Sequence, residues 1–378
     1  MYKTLFIFGT RPEAVKLCPV VRYFQQHVPQ LDARVCVTAQ HRDMLDQVLS
    51  VFGVVPHHDL NAMRPDQTLT AATSRILADL EPVLQAEKPD MVVVQGDTAT
   101  TLCGGLAAFY AGIPVGHIEA GLRTGDLAQP FPEEMNRVVV SHFTKLHFAA
   151  TDGAASNLRR EGIPDASILV TGNTGIDAVL YIRDQLASGA VRGRTWDCPD
   201  TDSRKLIVVT AHRRESFGEG FERICIALRR LADRPDVRIV YPVHPNPNVT
   251  GPVRRHLANH PNIELLEPLD YVSFVDLARK AYFLITDSGG IQEEAPSLGK
   301  PVLVLRDKTE RPEAVEAGTA LLVGTEVENI VTTANWLLDD AVEYARRQRI
   351  HNPYGDGNAS KRIADGILRY FAAGGMGS

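Results

Sequence analysis

Short apolar runs recur along this chain, and between them an apolar residue returns at every third or fourth position. Residues 91–94 are apolar throughout, which suits a strand buried on both faces of a parallel sheet. Comparable runs at 3–8, 34–39, 115–118, 146–149 and 168–170 predict the other strands of the first half. In the second half the runs fall at 206–210, 238–243, 263–266, 281–285, 301–305 and 321–323. Helical periodicity fills the gaps. Pro12 suits a first helical turn, and Ala14, Val15, Leu17 and Val20 follow it. Met44, Leu45, Val48, Leu49 and Phe52 make a second helical stripe. Further helices are expected at 68–84, 100–111, 176–186, 221–231, from about 274, and at 291–298, 330–338, 341–349 and 359–371.

Alternating strands and helices in two halves of similar size predict an α/β protein of two doubly wound, Rossmann-like domains. Gly172-Asn173-Thr174-Gly175 marks the join, giving residues 1–171 and 172–358. Ligands of such sheets bind at the carboxyl ends of strands. With two such domains, the interdomain cleft is the expected active site.

Polar residues at those ends are the candidates for chemistry. The run Thr-Asp-Ser-Gly-Gly-Ile-Gln-Glu-Glu at 286–294 lies between a predicted strand and a predicted helix. Free N–H groups and the helix dipole favour an anion there. Gly289 and Gly290, after Ser288, let a phosphate approach the backbone closely. Glu294, about one turn into the helix, is placed to accept hydrogen bonds from sugar hydroxyls. Arg11 and Lys16 follow the first strand, Asp97 and Glu119 end two others, and Glu133 opens a helix after a proline-stiffened loop. His212 and Arg213, His244, and Arg311 end strands of the second half. The cations and the glycine turn suit a diphosphate, and the carboxylates suit proton transfer.

Composition narrows the classes. The chain has 378 residues, 44% hydrophobic and 23% charged, with a formal net charge of −6. That balance argues against nucleic acid as a partner. No apolar run approaches the ~20 residues that span a bilayer, and the first residues enter a strand without a secretory signal. Five scattered cysteines, Cys18, Cys36, Cys103, Cys198 and Cys225, read as reduced core residues of a cytoplasmic protein. There is no Gly-x-Gly-x-x-Gly or P-loop at the first turn, which argues against a standard NAD fold or NTPase. No His-Glu-x-x-His, Cys/His cluster or Gly-x-Ser-x-Gly elbow occurs, so neither a metal nor a serine nucleophile is expected.

Eight runs together carry a resemblance. They are Phe-Gly-Thr-Arg-Pro-Glu-Ala at 8–14, Gln-His-Arg at 40–42, Gly-Asp-Thr at 96–98 and His-Ile-Glu-Ala-Gly-Leu-Arg-Thr-Gly at 117–125. The others are Pro-Glu-Glu at 132–134, His-Arg-Arg-Glu-Ser at 212–216, Asp-Ser-Gly-Gly-Ile-Gln-Glu-Glu at 287–294 and Glu-Arg-Pro-Glu at 310–313. In that order and spacing the chain resembles the bacterial non-hydrolysing UDP-N-acetylglucosamine 2-epimerases over nearly its whole length. The resemblance implies a glycosyltransferase-B-like fold, with the last helix, 359–378, crossing back onto the first domain. It implies reversible conversion of UDP-N-acetylglucosamine to UDP-N-acetylmannosamine, with no cofactor and no metal, for surface polysaccharide synthesis.

The resemblance also assigns roles. Asp97, Glu119 and Glu133 fall on the acid–base carboxylates and His212 on the group that stabilises the leaving diphosphate. Substrate contacts fall on Arg11, Lys16, Asp97, Glu119, His212, Ser288, Gly289, Gly290, Glu294 and Arg311, with a uracil-side contact in the segment from Pro268 to Phe274, where Leu269 and Phe274 are the candidates. Leu269 stands where some relatives carry glutamine. An activating second UDP-N-acetylglucosamine would meet Gln40, His41, Glu134, Arg213 and His244. Asp43 and Asp66 depart from some members' pattern. A homodimer is expected. A glycosyltransferase on the same fold would need an acceptor rather than three gathered carboxylates, a hydrolysing epimerase would release the free sugar, and a sensor would bind without turnover.

Overall fold

A computed structural model describes residues 1–38, 42–64, 67–194 and 203–375. The chain forms two compact units, Met1–Ala178 with Tyr354–Ser378, and Val179–Pro353. In the first, β1 (Tyr2–Phe8), α1 (Arg11–His27), β2 (Leu31–Val37), α2 (Arg42–Phe52), β3 (His58–Asp59), α3 (Leu69–Glu87) and β4 (Met91–Gln95) come in order. Then follow α4 (Ala99–Tyr110), β5 (Val115–Ala120), α5 (Glu133–Phe143), β6 (Leu146–Ala149), α6 (Asp152–Arg160) and β7 (Ile168–Val170). The chain leaves this unit within α7 (Thr174–Ala187).

The second unit holds β8 (Lys205–Thr210), α8 (Glu219–Ala232), β9 (Val237–Pro242), α9 (Pro247–Leu257), β10 (Ile263–Leu266), α10 (Tyr271–Lys280) and β11 (Phe283–Thr286). It continues with α11 (Gly289–Glu294), β12 (Val302–Val304), α12 (Pro312–Ala317), β13 (Ala320–Leu322), α13 (Val327–Asp339) and α14 (Ala341–Gln348). The last helix, α15 (Ala359–Ala372), belongs to the first unit and packs on α1. Asp177 of α7 holds its start by accepting the N–H groups of Ala359 and Ser360, and Tyr2 stacks on Phe371 at 4.1 Å.

Both sheets are parallel throughout. Their strand orders are β3-β2-β1-β4-β5-β6-β7 and β10-β9-β8-β11-β12-β13. The fold is therefore α/β and doubly wound twice over. In each sheet the order reverses once, between β1 and β4 and between β8 and β11. Apolar strands explain the stability of this arrangement. Leu5, Ile7, Val92 and Val94 pack under Ile76 and Leu80 of α3, and Ile207, Ile239, Tyr241 and Ile285 pack under Phe221 and Leu228 of α8. Each such side chain contributes roughly 1.5–3 kcal/mol on burial.

Several elements differ from those the sequence predicts. The second strand is Leu31–Val37, ending short of Ala39, which lies outside the described residues. Helix α10 starts at Tyr271 because Asp270 caps it, its side chain accepting the Ser273 N–H. Gly289 and Gly290 are the first residues of α11, with Ser288 as the cap, and not a turn ahead of it. Helices α6, α9 and α12 and the short β3 are additional. Helix α6 hides its buried stripe in Ala154, Ala155 and Leu158, and α9 masks Val249, Val253 and Leu257 behind Gly251 and Pro252.

Among the described residues no helix is long and apolar enough to cross a membrane, and no three His, Cys, Asp or Glu side chains gather as a metal site. Cys18, Cys36, Cys103 and Cys225 are buried and free, while Cys198 lies outside the described residues. Burial pushes the Cys103 thiol up to about 11 and the Cys36 thiol to about 12, which makes them poor nucleophiles.

Candidate active site

At a reversal of strand order the loops after two neighbouring strands part, and their carboxyl ends frame a crevice. In the first sheet that point lies between Gly9-Thr10, after β1, and Gly96-Asp97, after β4. Glu13 ties the two loops together. One of its oxygens accepts the N–H groups of Gly9 and Thr10, at 3.0 and 2.7 Å. The other accepts the hydroxyls of Thr98 and Thr101, at 2.6 and 3.3 Å. Thr10 and Glu13 also make the reciprocal bonds of a capping box at the start of α1. Burial raises the Glu13 pKa against the hydrogen bonds from Thr98, Gly9 and Thr10.

Asp97 and Glu119 are the carboxylates of this crevice. Glu119 stands near the end of β5, at an irregularity in the pairing with β6, and its backbone is left-handed with φ 63°. This conformation is rare for a residue with a side chain. It re-aims the carboxylate, as bulges beside functional sites do. Lys16 of α1 bonds one Glu119 oxygen at 2.5 Å, and the Gln95 amide bonds the other. Asp97 accepts the Arg137 guanidinium at 2.5 Å, and Asn136 donates to the Asp97 carbonyl at 2.8 Å. Burial raises the Asp97 pKa; Arg137 opposes that, Glu119 adds to it, and Lys16 opposes it. Two carboxylates and two cations thus act on one another electrostatically, and a part-buried acid with a raised pKa is suited to proton transfer.

The remaining first-unit candidates separate from one another. Glu133 is the first residue of α5, one turn before Arg137 on the same face, and its Oε2 is buried without a hydrogen-bond partner. Glu134 turns inward. Its Oε1 accepts the N–H groups of Thr124 and Gly125, at 2.9 and 3.0 Å, and its Oε2 lies 3.3 Å from Arg137. Arg11 is exposed in the first turn of α1. Gln40, His41 and Asp66 lie outside the described residues, as does the side chain of Asp43.

The second sheet repeats the design between β8 and β11. His212 and Arg213 follow β8, and their backbone N–H groups donate to Asp287, at 2.6 and 2.7 Å. The His212 ring stacks on that of His244, with centroids 5.2 Å apart. Beside them Ser288 starts α11 with no side-chain cap on its N–H groups, so the first donors of the helix remain available. The Arg311 guanidinium lies over them: a Cβ built on Gly289 would be 3.5 Å from Cζ. Glu293, 4% exposed, holds Arg311 by an ion pair, and the Glu293 carbonyl accepts Asn352 at 2.7 Å. A guanidinium held above uncapped helical N–H groups suits an anion. Glu294 lies nearby, with the Tyr271 hydroxyl donating to it at 3.4 Å. Leu269 is half-buried ahead of the Asp270 cap, and Phe274 is half-buried in the first turn of α10.

The structure thus gathers Lys16, Asp97 and Glu119 in one unit, and His212, His244, Ser288, Gly289 and Arg311 at the strand ends of the other. It adds Glu13, Gln95, Arg137, Asp287 and Glu293, which the sequence did not single out. Glu13 had a signal in the Thr10–Glu13 capping-box spacing. The others hold residues distant in sequence and had no local one.

Doubly wound sheets present their ligand-binding groups at strand ends, and the fold is glycosyltransferase-B-like. At the level of fold alone it matches the crystal structure of MurG from Acinetobacter baumannii, 16% identical, with a TM-score of 0.60 over 98% of this chain and 100% of that one. The chain belongs to the UDP-N-acetylglucosamine 2-epimerase family, whose model matches residues 25–368. It is 55% identical to the UDP-N-acetylglucosamine 2-epimerase of Escherichia coli K12 over 370 residues, 97% of this chain and 98% of that protein. It is also similar to the Neisseria meningitidis UDP-GlcNAc 2-epimerase, whose crystal structure has UDP-GlcNAc bound. That match has 47% identity and a TM-score of 0.86 over 97% of this chain and 100% of that one.

Proposed function

We propose that this enzyme interconverts UDP-N-acetylglucosamine and UDP-N-acetylmannosamine by eliminating and re-adding UDP. The observation that carries the reading is the electrostatic coupling of Asp97 and Glu119, with Lys16 and Arg137, at the first strand-order reversal. The C2 proton of the sugar lies beside no ring carbonyl, so simple abstraction is very slow. Elimination avoids a free carbanion. A carboxylate takes the C2 proton, the C1=C2 double bond forms, and the C1–O electron pair leaves with UDP. In return a proton is delivered to the other face of C2 while a UDP oxygen bonds C1. Asp97, Glu119 and Glu133 are the proposed proton carriers. Ser288, Gly289, Gly290 and Arg311 take the diphosphate with His212 beside it, and Glu294 takes the ribose. Positive groups at the departing diphosphate lower the barrier to C1–O cleavage.

Proton NMR of UDP-N-acetylglucosamine with the purified protein in deuterated water tests this. The expected product is UDP-N-acetylmannosamine carrying deuterium at C2. A product without solvent label rules elimination out, and free N-acetylmannosamine would mark a hydrolase instead. By family resemblance the same reading includes a homodimer in the cytoplasm, a second UDP-N-acetylglucosamine as activator near Arg213 and His244, and a product used for surface polysaccharide. Sedimentation and the substrate dependence of the rate test the first two regulatory points.

A further inference from the structure

Asp287 follows β11 and is wholly buried. One oxygen, Oδ2, is occupied by the N–H groups of His212 and Arg213. The other, Oδ1, is buried with no hydrogen-bond partner, and it lies 3.7 Å from Nδ1 of His212. A buried carboxylate oxygen left unpaired is costly. A shift of about 0.5–1 Å would bring the imidazole into hydrogen-bond range. The His212 side chain is 42% exposed, and its ring packs on that of His244.

The charged and titratable groups around the imidazole are few. Asp287 faces it from the end of β11, His244 from the end of β9, and Arg213 is its own neighbour. Tyr241 of β9 faces Asp287 with its hydroxyl committed to the Ala211 carbonyl at 2.7 Å. Among these, Asp287 is the sole group that favours a cationic ring. Burial lowers the His212 pKa, Asp287 raises it, and His244 and Arg213 lower it.

We propose that Asp287 is a positioning residue for His212: its free oxygen accepts Nδ1–H, fixes the ring tautomer, and supports the imidazolium that presents Nε2–H to a bound diphosphate. The role assigned to the diphosphate rests on the function proposed above. At rest the neutral ring keeps its proton on Nδ1 and turns a bare Nε2 outward. A phosphate anion at Nε2 favours uptake of a second proton from solvent onto that nitrogen. A carboxylate behind Nδ1 makes that cation tolerable without itself taking the proton.

NMR of the full chain with 15N-labelled histidine tests the assignment, with UDP as the probe. In the wild type the neutral His212 ring is expected as the Nδ1–H tautomer, and UDP should raise its titration midpoint. A neutral Nε2–H tautomer overturns the proposal, and this arm needs no variant. Asp287→Asn, checked by thermal melting, should lower the His212 midpoint by about one pH unit or more. An unchanged midpoint in the folded variant overturns the proposal. Kinetics separate positioning from bracing of the backbone. If Asp287 acts through the ring, Asp287→Asn lowers kcat in the wild type but adds less than about threefold in a His212→Gln background. A full additive loss there means that Asp287 only holds the turn. The spectroscopic arms require no turnover, so failure of the epimerase reading leaves them decisive.

Discussion

Lys16 Nζ lies 2.5 Å from Glu119 Oε1, although 103 positions separate the two residues in the chain. The ion pair joins the first turns of α1 to the end of β5, and both side chains are largely buried. It holds Glu119 toward the same crevice as Asp97.

Asp97→Asn and Glu119→Gln should each lower kcat at least ~100-fold, a usual acid–base contribution. Circular dichroism should report an unchanged fold. Turnover within a few-fold of wild type in either variant removes that residue from the proton-transfer step.

Gly289→Ala distinguishes an anion site from a mere helix start. The added methyl would sit 3.5 Å from the Arg311 guanidinium, an ordinary contact, so the melting temperature should move by no more than a few degrees. The methyl also occupies the space a phosphate would need. Calorimetry should show UDP binding weakened at least ~10-fold, about 1.4 kcal/mol. Undiminished affinity places the diphosphate elsewhere.

Acid should destabilise the first unit through His117. This side chain is fully buried in β5, with Nε2 on the Gly96 carbonyl at 2.7 Å. Burial depresses its pKa to about 4 from an ordinary 6.5, against the bond to Gly96. The unfolded chain therefore binds a proton between pH 6.5 and 4 that the folded chain refuses. Stability is full above 6.5 and falls as the pH drops toward 4. His117→Gln should flatten part of that fall in a series of thermal melts. A parallel decline in both proteins assigns it to other groups.

Glu13→Ala should cost about 2–4 kcal/mol in urea denaturation. Both accepting oxygens go, and the buried N–H and hydroxyl groups facing them lose their bonds. Because the same side chain joins the loop before Arg11 to the one that bears Asp97, kcat should fall as well. A change below about 0.5 kcal/mol means the four bonds are replaceable by water.

Much of this molecule is legible in its sequence, for reasons that are local. Residues 91–94 are apolar because β4 is covered on both faces, and Gly96 and Asp97 follow because a parallel strand must end in a turn toward a helix. Other features are written in pairs that no window contains. Glu13 meets Thr98 and Thr101 at separations of 85 and 88 positions, and Asp287 meets the His212 N–H at a separation of 75. The pattern ends the strand at Ile118, whereas β5 runs on to Ala120. Nothing in the run of letters announces the irregularity that turns Glu119. Helix α9 was obscured differently: its proline and glycine read as breakers while its three core residues keep perfect helical spacing.

The backbone at Glu119 has a bearing on the stability of this chain. A left-handed non-glycine residue costs folding free energy, roughly 1–3 kcal/mol, and two positions later the chain uses glycine for a left-handed bend, at Gly121 with φ 90°. Glycine at 119 would relieve that strain but would leave no carboxylate beside Asp97 for the proton transfer proposed above. The glutamate supplies that group at a local cost in folding.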